Sequence, residues 1–351
     1  MCRLASPGNL CMRQTRELEV TYGGAEANVA ASICNFGGAA RYVTALPKHA
    51  LAEATIDTLR GVGIDTQFVL RTDAGRLGIY FLETGANQRP SRVIYDREGS
   101  AFSRTTPDQY DWEAALADAD WLHVTGISPA VSGAAADATR QAVAEAKQRG
   151  IAVSCDLNFR QKLWRWDPQS SPRDLAESTM RELLPSIDLL IANEEDCAQV
   201  LGIRAGQTDV DAGNLEISRY PEVAKEVVKQ FPNLTHVAIT LRESISASHN
   251  NWGAMLWDSA EGQHHFAPTT GEAYAPYEIR NIVDRVGGGD SFAAGLIFAL
   301  NTPELRSPAT ALRFAVAASC LAHSIVGDFN FSSREDVEKL MGGVGAGRVE
   351  R

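Results

Sequence analysis

The sequence predicts an α/β fold, in which helices cover both faces of a mostly parallel central sheet and a small β lid stands apart from it. Short apolar segments alternate with helical patterns along most of the chain, which is typical of parallel sheets. One hairpin-like pair of segments interrupts this alternation and indicates the lid. The chain has 351 residues, 44% of them hydrophobic, and can bury a large core. We therefore predict a single domain over residues 1–351, with lid strands at about residues 17–22 and 77–97.

The strands of the central sheet are predicted from short apolar segments, at residues 42–46, 121–125, 151–155, 189–192 and 237–241. Helical patterns are found at residues 29–36, 51–60, 133–149, 194–201 and 220–230, and glycines follow the first two of them. Residues 202–218 are polar and irregular, which indicates a surface insertion. Residues 342–351 are rich in glycine and are predicted to be a frayed tail.

The lid is predicted from residues 77–83 and 92–96, two strand-like segments that a polar turn joins. With residues 17–21 they are expected to form a separate sheet over the site. The alternative is an antiparallel hairpin on the edge of the main sheet. A free strand edge on the lid can pair with a second copy of the chain, so we also predict a homodimer.

Composition excludes several classes of protein. A formal net charge of −11 disfavours nucleic-acid binding. No run of about 18 apolar residues is present, so no membrane span is predicted. The six cysteines are scattered and form no CxxC pair, which indicates reduced thiols and a cytoplasmic location. The sequence also lacks the GxxxxGK[ST], GxGxxG and HExxH motifs of P-loop ATPases, nicotinamide dehydrogenases and zinc hydrolases.

The strongest chemical signal is a run of three glycines, Gly287, Gly288 and Gly289, directly before Asp290 and an apolar helical pattern. Glycine allows backbone N–H groups to approach a ligand, and a helix N-terminus favours an anion. A carboxylate beside bound phosphate can accept the proton of an attacking hydroxyl. The alternative is that Asp290 only caps the helix.

The residues from Asp284 to Asp290 resemble the Asp-x-x-Gly-Ala-Gly-Asp signature of the ribokinase-like (PfkB) sugar kinases. The resemblance implies a ribokinase-like fold, ATP and Mg²⁺ as cofactors, Asp290 as catalytic base and the amides of Gly287–Gly289 as an anion hole. Gly288 stands where the family usually has alanine, which keeps the loop small.

A second group of residues suits a sugar acid. Tyr95 and Arg97 stand two residues apart and share a face if their segment is a strand, and Tyr80 lies on the partner segment. Arginine clasps carboxylates with paired hydrogen bonds. The alternative is an ordinary solvated strand face. Together with Gly23-Gly24-Ala25-Glu26-Ala27-Asn28, this hairpin resembles the 2-keto-3-deoxygluconate kinase branch of the family. That resemblance implies sugar-acid binding by Gly23, Gly24, Ala25, Asn28, Tyr80, Tyr95 and Arg97.

Asn158 and Arg160 follow a predicted buried strand, at the end where open α/β sheets bind ligands. A plain surface loop is the alternative. This run also matches the kinase branch, which implies that both residues contact substrate and that Arg160 lies between substrate and phosphate donor. Asn158 is predicted to contact the nucleotide as well.

Two further groups are assigned by resemblance. Asn193, Glu195 and Asp196 match an Asn-x-x-Glu motif that holds magnesium, although Asp196 is one methylene shorter than glutamate. The alternative for this cluster is an ordinary first helical turn, where acidic residues are favourable. Thr240, Arg242 and Ser244 stand where many relatives carry a glycine-rich nucleotide loop. Its glycines are absent here, so Arg242 and Ser244 are predicted to bind phosphate together with the amides of Gly287 and Gly289.

The resemblance implies ATP-dependent phosphorylation of the terminal hydroxyl of 2-keto-3-deoxygluconate, with Asp290 as general base. Three alternatives remain: a kinase for a neutral sugar such as fructose or ribose, a kinase for the galactonate epimer, and a catalytically silent sugar-acid sensor. The presence of Arg97, which suits a carboxylate, disfavours a neutral sugar as substrate. The presence of Asp290, the implied catalytic base, disfavours a silent sensor.

The beginning of the sequence departs from the family pattern. Relatives open with an apolar strand of the main sheet, followed by a turn that Ser6-Pro7-Gly8-Asn9 resembles, but only Met1 to Ala5 precede that turn here. We expect an unfilled strand position beside the site and a natural start further upstream. The alternative is a naturally shortened chain whose sheet closes by other means.

Overall fold

The structure is a computed structural model that describes residues 1–193, 195–204 and 217–343. Most of the predicted surface insertion and most of the glycine-rich tail lie outside these residues.

The described residues contain fifteen strands. In chain order they are β1 Cys2–Ala5, β2 Glu19–Tyr22, β3 Thr44–Pro47, β4 Val69–Thr72, β5 Ile79–Glu83, β6 Arg92–Asp96, β7 Trp121–Thr125, β8 Ala152–Asp156, β9 Leu189–Asn193, β10 His236–Ser246, β11 His249–Asp258, β12 Gln263–Ala267, β13 Thr269–Thr270, β14 Ala273–Tyr274 and β15 Tyr277–Arg280.

The same residues contain twelve α-helices. They are α1 Ala25–Asn35, α2 Ala50–Gly61, α3 Ala101–Arg104, α4 Trp112–Ala115, α5 Ile127–Ala130, α6 Gly133–Gln148, α7 Pro172–Leu183, α8 Asp196–Val200, α9 Tyr220–Gln230, α10 Gly288–Leu300, α11 Pro308–Ala322 and α12 Arg334–Met341.

The central sheet has the order β12-β11-β10-β9-β8-β7, and β15 also pairs with β11. The strands from β7 to β10 are parallel, whereas β11, β12 and β15 form an antiparallel extension. The predicted α/β class is therefore confirmed. The antiparallel extension is a finding that the apolar segments did not predict.

Both faces of this sheet are covered, as β9 illustrates. Leu190 points into a core with α7 and α9, whereas Leu189 and Ile191 point into a second core with α10 and α11. Successive side chains of a strand face opposite sides, so a strand buried on both faces is apolar throughout. The continuous apolar segment at residues 189–192 follows from this arrangement.

The lid is a separate four-stranded sheet with the order β2-β1-β5-β6. Its strands include both segments of the predicted hairpin, which pairs antiparallel with Tyr80 opposite Tyr95. The hairpin does not extend the main sheet, so the alternative placement is wrong. The residues before the Ser6-Pro7-Gly8-Asn9 turn do form a strand, but Cys2–Ala5 are the inner strand β1 of the lid and not a strand of the central sheet.

A gap separates β3 from β7. β3 pairs with β4 and β7 pairs with β8, and in the described part of the chain no strand pairs with the opposite edge of either. Both edges border a cavity of about 650 Å³, whose walls include Val43, Ala45, Leu122 and Val124. Arg97 lines both this cavity and the cleft described below, so the gap between the two sheets lies beside the site.

Two further properties bear on the sequence predictions. Among the described helices none is long and apolar enough to cross a membrane. All six cysteines are free thiols.

Candidate active site

A cleft of about 350 Å³ lies at the carboxyl ends of β8 and β9, beside the N-terminus of α10 and under the lid. Most residues singled out from the sequence line it: Gly24, Ala25, Asn28, Tyr80, Tyr95, Arg97, Asn158, Arg160, Asn193, Asp196, Thr240, Arg242, Gly287, Gly289 and Asp290. Four others do not line it: Gly23, Gly288, Glu195 and Ser244. The fold thus brings residues from distant parts of the chain to one place.

The glycine loop and the N-terminus of α10 form the part of the cleft that was predicted to bind an anion. Gly287 has a φ of 84° and precedes α10, and no side chain caps the first turn of the helix. The N–H groups of such a turn are free to bind an anion, and the helix dipole favours negative charge there. A Cβ on Gly289 would meet no atom within 4 Å, so a ligand can approach its backbone closely.

The surroundings of Gly288 explain why this chain has glycine where the family usually has alanine. It is buried, and a Cβ at this position would lie 2.8 Å from Cε1 of His323. The imidazole is fixed by a hydrogen bond between its Nδ1 and the carbonyl oxygen of Ser319, at 2.7 Å. Glycine therefore fits beside His323, where alanine would force the ring to move.

Asp290 is held by the loop that precedes α1. Nδ2 of Asn28 donates a hydrogen bond to Oδ2 of Asp290 at 2.6 Å, and Oδ1 of Asn28 accepts one from the N–H of Gly24 at 3.1 Å. Burial raises the pKa of Asp290 to about 7, and the nearby carboxylate of Asp328 adds to the rise. A base with a pKa near neutrality suits proton abstraction from a hydroxyl.

This pKa predicts a pH dependence. Only the ionised carboxylate of Asp290 can accept a proton, so we expect kcat/KM to rise with pH through an apparent pKa of about 7. The measurement is the pH profile of kcat/KM at saturating nucleotide. A value of kcat/KM that stays constant across this range would contradict Asp290 as the base.

Three more ionisable groups line the cleft together with Asp290. Asp156, at the end of β8, has a pKa raised well above its usual value by burial and by the carboxylates of Asp196 and Asp290. Burial also raises the pKa of Asp196. Arg160 lines the same cleft, and its positive charge partly offsets these carboxylates. Clustered carboxylates with raised pKa values are typical of sites that bind a cation or transfer a proton.

The predicted metal residues have specific local roles. Oδ1 of Asn193 accepts hydrogen bonds from the N–H groups of Glu195 and Asp196, at 2.8 and 2.9 Å. Asp196 in turn accepts from the N–H groups of Asn193 and Phe159, at 3.1 and 3.3 Å. Glu195 accepts a bond from Gln199, one helical turn further on, and its position lends no support to a metal role.

The carboxylates of Asp156 and Asp196 suit a magnesium ion. No group of three acidic, histidine or cysteine side chains among the described residues could hold a metal ion. Magnesium in phosphate-transfer sites is usually held by one or two carboxylates together with substrate phosphates and water. Asp156 and Asp196 both line the cleft and meet that requirement.

The lid supplies the opposite wall of the cleft. Arg97 lies over the ring of Tyr95, 5.3 Å from its centroid, and its buried Nε has no hydrogen-bond partner. Burial lowers the pKa of Arg97. Tyr80 is buried, and its hydroxyl donates to the carboxylate of Asp328, whose oxygens lie 2.7 and 2.8 Å away. Arg97 and Tyr95 therefore line the open cleft, whereas the hydroxyl of Tyr80 is engaged by Asp328.

The end of the cleft that was predicted to bind the nucleotide is formed by β10 and the loop before α10. Thr240 and Arg242 share a face of β10 and line the cleft, but Ser244 is exposed beyond it. Arg285 also lines the cleft and donates to the carbonyl oxygens of Ser246 and Ala247. Burial and the charge of Arg242 lower the pKa of Arg285 to about 10. Two arginines at this end make it suitable for phosphates.

Sequence reasoning missed Asp156, Arg285 and Asp328 as site residues. Asp156 and Arg285 lie inside motifs already singled out. The position of Asp156 at the end of a predicted strand and the basic side chain of Arg285 were the signals that could have identified them. Asp328 lies in no such motif, and only its contacts place it at the site.

The fold and this site define a sugar kinase of the ribokinase-like class. Residues 6–331 match the pfkB family of carbohydrate kinases, and the chain belongs to that family. The resemblance found in the sequence is thus confirmed.

Individual kinases are similar to this chain over nearly its whole length. The crystal structure of 2-dehydro-3-deoxygluconokinase from Thermotoga maritima is 42% identical, with a TM-score of 0.87, and the match covers 98% of this chain and 97% of that one. A 2-dehydro-3-deoxygalactonokinase from Haloferax volcanii is 29% identical over 99% of this chain and 96% of its own. Fructokinase from Xylella fastidiosa, solved with bound ATP, shares the fold at 20% identity and a TM-score of 0.73, over 98% of this chain and 96% of that one.

Proposed function

We propose that this protein is a 2-dehydro-3-deoxygluconokinase, which transfers the γ-phosphoryl group of ATP to the terminal hydroxyl of 2-keto-3-deoxygluconate. The observation that carries the proposal is Asp290, held by Asn28 beside an uncapped helix N-terminus, with the unpaired Arg97 on the lid above the same cleft. The likeness to the Thermotoga maritima enzyme supports the choice of sugar acid.

The proposed chemistry follows from the residues of the cleft. Asp290 takes the proton of the terminal hydroxyl, whose oxygen attacks the γ-phosphorus of ATP, and the bond to the β,γ-bridging oxygen breaks to release ADP. The amides of the glycine loop and the guanidinium of Arg160 stabilise negative charge on the transferring group. Asp156 and Asp196 would hold Mg²⁺ together with the phosphates, and Mg²⁺ supplies neutralisation of phosphate charge.

The galactonate epimer is a second candidate substrate. The relative from Haloferax volcanii carries that specificity in its name and matches nearly the whole chain. The two sugar acids share the carboxylate and the terminal hydroxyl, so Arg97 and Asp290 serve either one.

A coupled kinase assay tests the proposal. Rates of ADP formation from ATP and Mg²⁺ are measured with 2-keto-3-deoxygluconate, its galactonate epimer, fructose and ribose. We expect both sugar acids to exceed the neutral sugars in kcat/KM by about tenfold or more, the scale of one charge-assisted hydrogen bond. Equal rates with fructose would favour the neutral-sugar alternative. Calorimetric binding of the sugar acid without turnover would favour the silent sensor.

Arg97→Ala is expected to weaken the sugar acid selectively. Loss of a charge-assisted hydrogen bond costs about 1.5–3 kcal/mol, which corresponds to a rise in KM of roughly 10- to 150-fold. The KM for ATP should change much less, because Arg97 belongs to the lid wall. Arg92→Ala is the matched control, because Arg92 has an exposed side chain at the start of β6, the strand that Arg97 follows. An equal loss for ATP and sugar acid in the Arg97 variant would place this arginine outside the acid pocket.

We also propose that the protein forms a homodimer through the lid and is located in the cytoplasm. Val20 and Ile94, on the two edge strands of the lid, are 51% and 59% exposed, which supports pairing through the lid. Six unpaired cysteines support a reducing compartment. Neither the sequence nor the cleft suggests a nucleic-acid partner.

A further inference from the structure

Arg3, on the inner lid strand β1, is the centre of a buried charge network. Its side chain is 4% exposed. Its Nη2 lies 2.5 Å from Oδ2 of Asp284, and its Nη1 lies 2.9 Å from Oδ1 of Asp328. The Tyr80 hydroxyl, from the neighbouring strand β5, also donates to Asp328. One guanidinium thus joins the lid to two carboxylates that lie more than forty residues apart in the sequence.

The Asp284 carboxylate holds the backbone around the glycine loop, and the main chain of Asp328 packs against that loop. Oδ1 of Asp284 accepts the N–H of Val286 at 3.0 Å, and its Oδ2 accepts the N–H of Gly327 at 3.1 Å. The carbonyl oxygen of Asp328 packs so closely on Gly287 that a Cβ there would overlap it. The position of the Gly287 amide therefore depends on the segment that Arg3 anchors.

The charges of this network also act on Asp290. Burial alone would lower the pKa of Arg3, but the carboxylates of Asp284 and Asp328 together with Tyr80 raise it, so the guanidinium stays charged. One positive charge faces two negative ones, and Asp328 lies near enough to Asp290 to raise its pKa. Other charges near Asp290 are Glu26, which also raises its pKa, and Arg160, which lowers it. The buried carboxylate of Asp156 also interacts with Asp290, which raises the pKa of Asp156.

We propose that Arg3 and Asp328 are positioning residues for phosphoryl transfer, which couple the lid to the glycine loop and set the charge that surrounds Asp290. This inference rests on the proposed kinase function. Neither residue is assigned a step with the substrate. Their role is to fix the amides of the anion site and the electrostatic setting of the base.

The test compares Asp328→Asn and Arg3→Lys with the wild-type protein in the coupled assay. Asp328→Asn removes a negative charge but keeps the shape of the side chain. We expect kcat to fall about tenfold or more, and the acidic limb of the kcat/KM profile to move to lower pH because the pKa of Asp290 falls. Arg3→Lys keeps the charge but cannot bridge both carboxylates as a planar fork does, so kcat should fall without a shift of the limb.

Asp73→Asn is the matched control, because Asp73 pairs with Lys48 at the surface and its side chain is 82% exposed. This variant should retain the wild-type profile. The thermal midpoint is measured for every variant. A lower midpoint with unchanged kcat and an unchanged acidic limb in both network variants would show a purely structural network and overturn the inference. A wild-type protein that phosphorylates none of the sugars would overturn the proposed function itself, and the positioning role with it.

Discussion

Replacing Asp290 with asparagine is expected to lower turnover by about 10²-fold or more, the scale of losing a general base. Asparagine keeps the shape of the side chain but cannot take a proton from the sugar hydroxyl. Affinity for the sugar acid should change little, because Arg97 and the lid make the contacts expected for the carboxylate. The measurement is kcat and KM in the coupled assay, with binding of the sugar acid measured separately by calorimetry.

The control for this variant is Asp137→Asn, the same chemical change on the exposed face of α6, where Asp137 pairs with Arg140 and its side chain is 64% exposed. Its kinetics should match those of the unaltered protein. If the Asp290 variant also keeps near-normal turnover, Asp290 is not the general base and the proposed mechanism is wrong.

Gly287→Ala is expected to damage both stability and turnover. A left-handed φ of 84° costs a non-glycine residue about 1–2 kcal/mol. The added Cβ would also overlap the carbonyl oxygen of Asp328, and overpacking of this kind costs about 1–3 kcal/mol. We therefore expect a loss of about 2–5 kcal/mol in the free energy of unfolding. Displacement of the anion-site amides should lower kcat by roughly tenfold or more.

Gly37→Ala separates the two causes. Gly37 has a similar φ of 91°, but a Cβ there would meet no atom within 4 Å. This control should lose only the conformational part of the free energy and keep its turnover. Equal losses of stability in both variants, with normal turnover for Gly287→Ala, would show that the contact with Asp328 has no consequence.

The sequence predicted the α/β class and most residues of the cleft because both depend on local patterns. The apolar segment at residues 189–192 and the three glycines before Asp290 are readable without any knowledge of their partners. The antiparallel extension was missed because His249, Asn250 and Asn251 at the start of β11 are polar. That polarity resembles a loop, although pairing with β10 and β15 makes the segment a strand.

Other parts of the site depend on contacts between distant residues. Arg3 and Asp328 stand at opposite ends of the chain, and no motif spacing connects them. The direction of the Glu195 side chain depends on the rotation of α8, which a motif of four residues does not determine. Strand β1 of the lid was missed because four residues carry no periodic pattern, and its place depends on pairing with β2 and β5.

The cavity between β3 and β7 has a consequence for local stability. Side chains and loops, rather than a ladder of backbone hydrogen bonds, connect the pair β3–β4 to the described part of the central sheet. Amides of β3 should therefore exchange with solvent deuterium through openings that leave β8 and β9 closed. In native-state exchange we expect protection of β3 well below that of β9. Uniform protection across β3, β8 and β9 would mean that the two sheets open only together.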